Sequence, residues 1–170
     1  MDILIRREYS SDVEYIHQLN QSVFGDESEA VLVDRLRDAD SLVLSMVAEI
    51  DGRIIGHICF SPAVIEQADE SYPALAMAPM SIASDIQHQG LGSMLVNAAL
   101  EHLRQEHHKI VVVLGHPGFY GKLGFKPAAE FSIHWDHDVP DEAFMVYPLT
   151  DDALDNVSGT VHFRPEFEVL

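Results

Sequence analysis

Residues 84–114 carry a turn, a long amphipathic pattern and a wholly apolar run, in that order. Few folds accept such a sequence. Leu91, Leu95, Ala98, His102 and Leu103 form one stripe, with Ser93, Asn97, Glu101 and Arg104 opposite. This spacing predicts a helix over about residues 90–107. Ile110-Val111-Val112-Val113-Leu114 has no polar residue, as expected of a strand buried on both faces. The segment before the turn, 72–83, is also rich in apolar residues. A strand, a helix and a buried strand in this order form a crossover with parallel pairing.

The rest of the chain supplies the partners of that unit. Residues 3–5 read as a first strand. Ser10-Ser11-Asp12 caps a helix whose apolar positions are Val13, Ile16, Leu19 and Val23, and Phe24-Gly25 stops it. A second helix over 28–37 carries Val31, Leu32 and Leu36. Runs at 41–50 and 53–65 flank Asp51-Gly52, the signature of a hairpin. Pro73 and Pro79 predict edge or bulged geometry in the run that follows. A short helix is expected at 117–123, and late strands at 131–135 and 143–149. The expected fold class is α/β: a mixed, mostly antiparallel sheet with a central parallel crossover, flanked by helices. With 170 residues and no shift of composition, the main body is one domain, residues 1–150, followed by an acidic extension, 151–170.

The chemistry points to Gln87-His88-Gln89-Gly90-Leu91-Gly92, between an apolar strand and the helix. A helix N-terminus presents unpaired N–H groups and a partial positive charge. Glycines let an anion approach them closely, so the loop suits a pyrophosphate. It lacks the first glycine of a dinucleotide fingerprint and the Gly-Lys-Ser/Thr of a P-loop.

A second segment follows the apolar strand: Gly115-His116-Pro117-Gly118-Phe119-Tyr120-Gly121-Lys122-Leu123-Gly124-Phe125. With these two motifs the chain resembles the GNAT superfamily of N-acetyltransferases, which pairs a Gln/Arg-x-x-Gly-x-Gly/Ala loop with a later Tyr-bearing helix and a closing Leu-Gly-Phe. Residues 24–37, Gly56-His57-Ile58 and residues 80–83 look like one bacterial subgroup of predicted acetyltransferases. The resemblance implies acetyl-CoA as cosubstrate, no metal, and direct attack of a primary amine on the thioester. It places the cosubstrate against Met80, Ser81 and Ile82 of the strand and against Gln87, His88, Gln89, Gly90, Leu91, Gly92 and Ser93 of the loop and helix. It makes Ile82 the contact of the thioester carbonyl and Tyr120 the general acid for the leaving thiolate. The partner is an amine, on a small molecule or a protein; a homodimer is left open.

Three departures stand out. His88-Gln89 replaces the family's frequent base in the loop, His116 stands where Asn is frequent, and residues 72–83 contain no acid to serve as base. Glu29, His57 and His116 are the candidates for that base or for a water relay, each weighed against the favoured structural reading, in a helix first turn, a strand and a turn. A catalytically silent acyl-CoA-binding module is the alternative function.

Charge narrows the partners. Twenty-eight acids against 10 bases give a formal charge of −18, which argues against nucleic acid and against a polybasic membrane anchor. Residues 127–170 hold 10 acids and one base. Cys59 is the lone cysteine, which suits the cytoplasm. A His57–Cys59 dyad and a metal site at His134-Trp135-Asp136-His137 are disfavoured against a buried thiol and a strand end. His102, His107 and His108 are expected to close a helix.

Overall fold

A computed structural model describes residues 2–170. The elements are β1 (Ile3–Arg7), α1 (Val13–Phe24), α2 (Ser28–Asp38), β2 (Leu44–Ile50), β3 (Arg53–Gln67), β4 (Glu70–Ile82), α3 (Leu91–Gln105), β5 (Ile110–Leu114), α4 (Pro117–Tyr120), β6 (Lys126–Pro127), β7 (Ile133–Trp135), β8 (Phe144–Pro148) and β9 (Gly159–His162). No helix among the described residues is long and apolar enough to cross a membrane. The chain divides into two compact units, and β3, β4 and α3 run through both.

The first unit holds the residues up to Ser61, with Ala78–Glu101 and Pro165–Leu170. Here β1, β2 and β3 pair antiparallel in sequence order. The β2–β3 turn is the expected hairpin: Ile50 pairs with Arg53, and Asp51 and Gly52 both take left-handed φ, 49° and 78°. That mirror-image turn matches the right-handed twist of the flanking strands. Gly25, at φ 80°, caps α1 through its N–H to the Gln21 carbonyl. Ile16, Val33, Val47 and Cys59 form a buried cluster covered by Leu42 and Ile54. Of the expected stripe of α2, Leu32 and Leu36 are buried and Val31 is only half-buried, while Ala30 and Val33 complete the buried face.

The second unit holds Pro62–Met77 and His102–Arg164. The expected parallel crossover is present: Leu75 pairs with Val111 and Ala76 with Val112. β5 pairs antiparallel with β8 along its whole length, and β8 with β6. The acidic tail contributes β9, which pairs antiparallel with β3 at Val64–Glu66 and parallel with β7. β7 begins later than expected, because Ala128–Phe131 forms a tight helical turn that ends at Ser132 with φ 57°. The buried face of α3 is Leu91, Leu95, Val96, Ala99, Leu100 and Leu103, with Ala98 and His102 at its margin. His107, at φ 67°, turns the chain after that helix, and the His108 N–H bonds the Leu103 carbonyl. The helix therefore closes through backbone groups.

One ion pair fixes the start of the first unit. Arg6 grips Asp12 with both Nη atoms, at 2.7 and 3.2 Å, and reaches Glu49 at 3.1 Å. Asp12 also accepts the Tyr9 N–H at 2.6 Å. The Arg6 hydrogen bonds hold the Asp12 carboxyl below its ordinary value of 3.8, against the opposing effect of burial. A depressed carboxyl stabilises the fold above its unfolded pKa, and that contribution vanishes as pH falls through the folded pKa. Asp12→Asn should therefore cost about 2–3 kcal/mol near neutrality. The deficit should shrink as pH falls below the ordinary carboxylate range, as urea midpoints measured down that range will show.

Candidate active site

The head of α3 presents backbone N–H groups that no helical carbonyl takes. β4 ends at Ile82, and the Ala83 N–H bonds back to the Ile55 carbonyl of β3 at 2.8 Å. The chain then makes a tight turn at Ser84–Ile86. Gln87 folds back from it, and its Nε2 donates to the Ile82 carbonyl at 2.9 Å. Gly90 has φ 84°, which strains any residue with a Cβ, and its carbonyl accepts the Met94 N–H. The N–H groups of Leu91, Gly92 and Ser93 thus precede the first intrahelical bond. No acid lies in the first turn of α3. Asp85, two residues before Gln87, is held by Arg53 through two 3.0 Å bonds. The nearest carboxylate in the sequence is therefore already paired.

Behind the end of β4 lies a buried polar chain. Ser81 Oγ donates to Asn20 Oδ1 at 2.9 Å. Asn20 Nδ2 donates to the Ile16 carbonyl at 3.1 Å and to His57 Nδ1 at 3.2 Å. His57 Nδ1 is thus an acceptor, and its protonated Nε2 donates to Ser45 Oγ at 3.0 Å. Burial, with the charge of Arg37 second, pushes the imidazole down to about 3. His57 is fully buried and neutral, and both ring nitrogens are occupied, so it cannot reach an acceptor as its base. Cys59 is equally sealed: its Sγ donates to the Ala78 carbonyl at 3.2 Å, and burial raises the thiol well above its usual range. No His57–Cys59 dyad forms, because the imidazole is committed to Asn20 and Ser45.

Tyr120 lies in the second unit, at the end of α4. The His116 carbonyl accepts the N–H groups of both Phe119 and Tyr120. The ring of Tyr120 lies on Gly115, where a Cβ would collide with it. Phe119 and Phe125 meet the ring edge-on, with centroids at 4.8 and 5.4 Å. Only 8% of Tyr120 is exposed, and burial pushes its phenol up to about 12. Its hydroxyl has no hydrogen-bond partner among the described residues. The group is a neutral donor over the whole physiological range.

Of the other sequence candidates, His116 is exposed and Glu29 is half-buried, with its Oε2 enclosed and unpartnered. At 134–137, Asp136 bonds His137 at 2.6 Å and His162 at 2.9 Å, and His137 stacks on Trp135. No group of three or more His, Cys, Asp and Glu among the described residues could hold a metal. The residues that sequence reasoning missed are Asn20 and Ser45. Asn20 left a trace: it lies one turn after Ile16, a polar residue on a buried face.

A profile of the GNAT acetyltransferase family matches residues 8–125. The chain belongs to this family. It is 35% identical over 166 residues to the N-acetyltransferase YhbS of Escherichia coli K12, itself uncharacterised, covering 97% of this chain and 98% of YhbS. YjhQ of the same organism, another uncharacterised N-acetyltransferase, is 34% identical over 121 residues, covering 70% of this chain and 67% of YjhQ. The crystal structure of E. coli YhbS in complex with CoA superposes with a TM-score of 0.93, covering 98% of this chain and 92% of that one. A GNAT acetyltransferase from Brucella melitensis in complex with acetyl-CoA gives 0.80 at 30% identity, covering 98% of both chains. The GNAT fold expected from the two motifs is therefore the fold of this chain, and its class of activity is N-acetyl transfer.

The sealed thiol is directly checkable in this GNAT protein. Cys59 should resist a thiol reagent at about pH 8 in the folded protein and react at once in denaturant, as absorbance of the released chromophore will show.

Proposed function

We propose that the protein transfers an acetyl group from acetyl-CoA to a primary amine by direct attack. The observation that carries this reading is the head of α3, where unpaired N–H groups follow a Gln-x-x-Gly-x-Gly loop with no competing acid. The pyrophosphate of CoA would lie on Gln87, His88, Gln89, Gly90, Leu91, Gly92 and Ser93. The pantetheine arm would follow Met80, Ser81 and Ile82. The CoA-bound YhbS and acetyl-CoA-bound Brucella relatives support this cosubstrate. A backbone N–H aimed at the developing oxyanion stabilises the tetrahedral intermediate, and Ile82 is the residue assigned to it. Tyr120 would then donate to the thiolate as it leaves. A phenol at about 12 keeps its proton until a strong base forms beside it, and a desolvated thiolate is such a base. The lone cysteine fits a reducing compartment, so we place the activity in the cytoplasm.

Turnover of acetyl-CoA with a panel of primary amines tests the reaction. Tyr120→Phe should lower kcat by about 100-fold or more while the acetyl-CoA KM stays nearly constant. Normal turnover in that variant would remove Tyr120 from its role. Binding of acetyl-CoA without transfer to any amine would overturn the whole reading.

Charge yields a second test. With −18 on the chain, CoA is held by backbone dipoles against an unfavourable net field, while the acids draw a cationic acceptor. Added salt should leave CoA affinity steady or raise it, and should raise the KM of a linear polyamine acceptor. A CoA affinity that falls steeply with salt contradicts this assignment.

A further inference from the structure

We infer that Asn20 is a positioning residue: it holds Ser81 from behind and so sets the backbone of β4 at Ile82 for the thioester carbonyl. The inference rests on the proposed contact between that carbonyl and the Ile82 N–H.

Four observations carry it. Asn20, Ser45, His57 and Ser81 come from α1, β2, β3 and β4, and none is more than 7% exposed. Their hydrogen bonds run one way, from Ser81 through Asn20 and His57 to Ser45, and every polar hydrogen of Asn20 and His57 is used. A carboxamide in the middle cannot pass a proton along, so the chain holds its members in place rather than relaying charge. A buried polar chain has no general advantage in stability over apolar packing, but it admits only one arrangement of its members.

That arrangement converges on the proposed carbonyl contact. Ser81 is tied to α1, the Ile82 carbonyl to Gln87, and the Ala83 N–H to β3. Three consecutive residues are pinned. Because Ala83 faces β3, alternation along the strand turns the Ile82 N–H to the opposite edge.

The test uses the full-length protein and carbonyl-labelled acetyl-CoA, read by infrared difference spectroscopy, so no acceptor need be known. In the wild type the bound carbonyl band should lie below that of free acetyl-CoA. Ser81→Ala and Asn20→Ser should lose about half of that displacement or more. Ser45→Ala breaks the same chain at its β2 end and should keep it in full. CoA affinity should stay within about twofold in Asn20→Ser and Ser45→Ala, which leave the α3 head and the pantetheine strand unchanged, and Ser81→Ala is read at saturating acetyl-CoA. If Asn20→Ser fails to fold, Ser81→Ala, which removes a single oxygen, decides alone. Full displacement in Ser81→Ala, or equal loss in Ser45→Ala, overturns the positioning role and leaves the Ile82 contact standing. An undisplaced band in the wild type overturns the Ile82 contact itself, and this inference with it.

Discussion

The parallel ladder between β4 and β5 contains two residue pairs, at Leu75 and Ala76, and most of the site's design follows from that short length. A strand that runs on to Ile82 without a ladder on that edge must satisfy its backbone groups in other ways. The Ile82 carbonyl takes a side chain from the loop that follows it, Gln87. Ser81 takes Asn20 from behind. A strand released from its neighbour is thus held by groups that no regular sheet would need. The end of β4 is thus kept ordered by two side-chain amides, Gln87 on the Ile82 carbonyl and Asn20 on Ser81.

The electrostatics follow the same economy of side chains. Neither the loop nor the first turn of α3 contains Lys or Arg, and the chain as a whole is strongly acidic. The positive end there is that of a 15-residue helix, carried by backbone N–H groups alone. The one nearby acid in the sequence, Asp85, is neutralised by Arg53. Elsewhere the titratable groups near the core are silenced by burial: His57 is neutral, Cys59 keeps its proton, and Tyr120 keeps its phenolic hydrogen.

Much of the fold was legible because the relevant signals are local. Asp51-Gly52 demands a mirror-image turn, Gly25 ends a helix, and an apolar run of five behind an amphipathic helix makes a crossover; each appears where expected. The stripes of α2 and α3 are legible in part: Leu32, Leu36, Leu91, Leu95 and Leu103 are buried as expected, and Val33, Val96 and Leu100 join them. Their helices bury a broad face, and a residue such as Val33 is decided by what packs on it. β9 was missed altogether. Gly159–His162 is four residues with one fully buried side chain, Val161, and its strand character comes from pairing with β3 and β7, both distant in sequence. Asn20 and Ser45 carry no motif, because a buried hydrogen-bond chain drawn from four elements has no linear spacing.

The sequence by itself determined the family and the crossover, and singled out the loop and Tyr120 as candidates, because each signal depends on a few neighbouring residues with strict backbone demands. Only the tertiary structure decided what those residues touch. His57 could be read as a base or as a structural residue of a strand, and packing made it a neutral strut, since its ionisation depends on burial. Ser81 is marked in the sequence only as a strand residue beside the expected cosubstrate, and its tie to α1 appears only in the fold, since its partner lies 61 residues away. Local chemistry is written along the chain, whereas solvation and long-range hydrogen bonding exist only after the elements have packed.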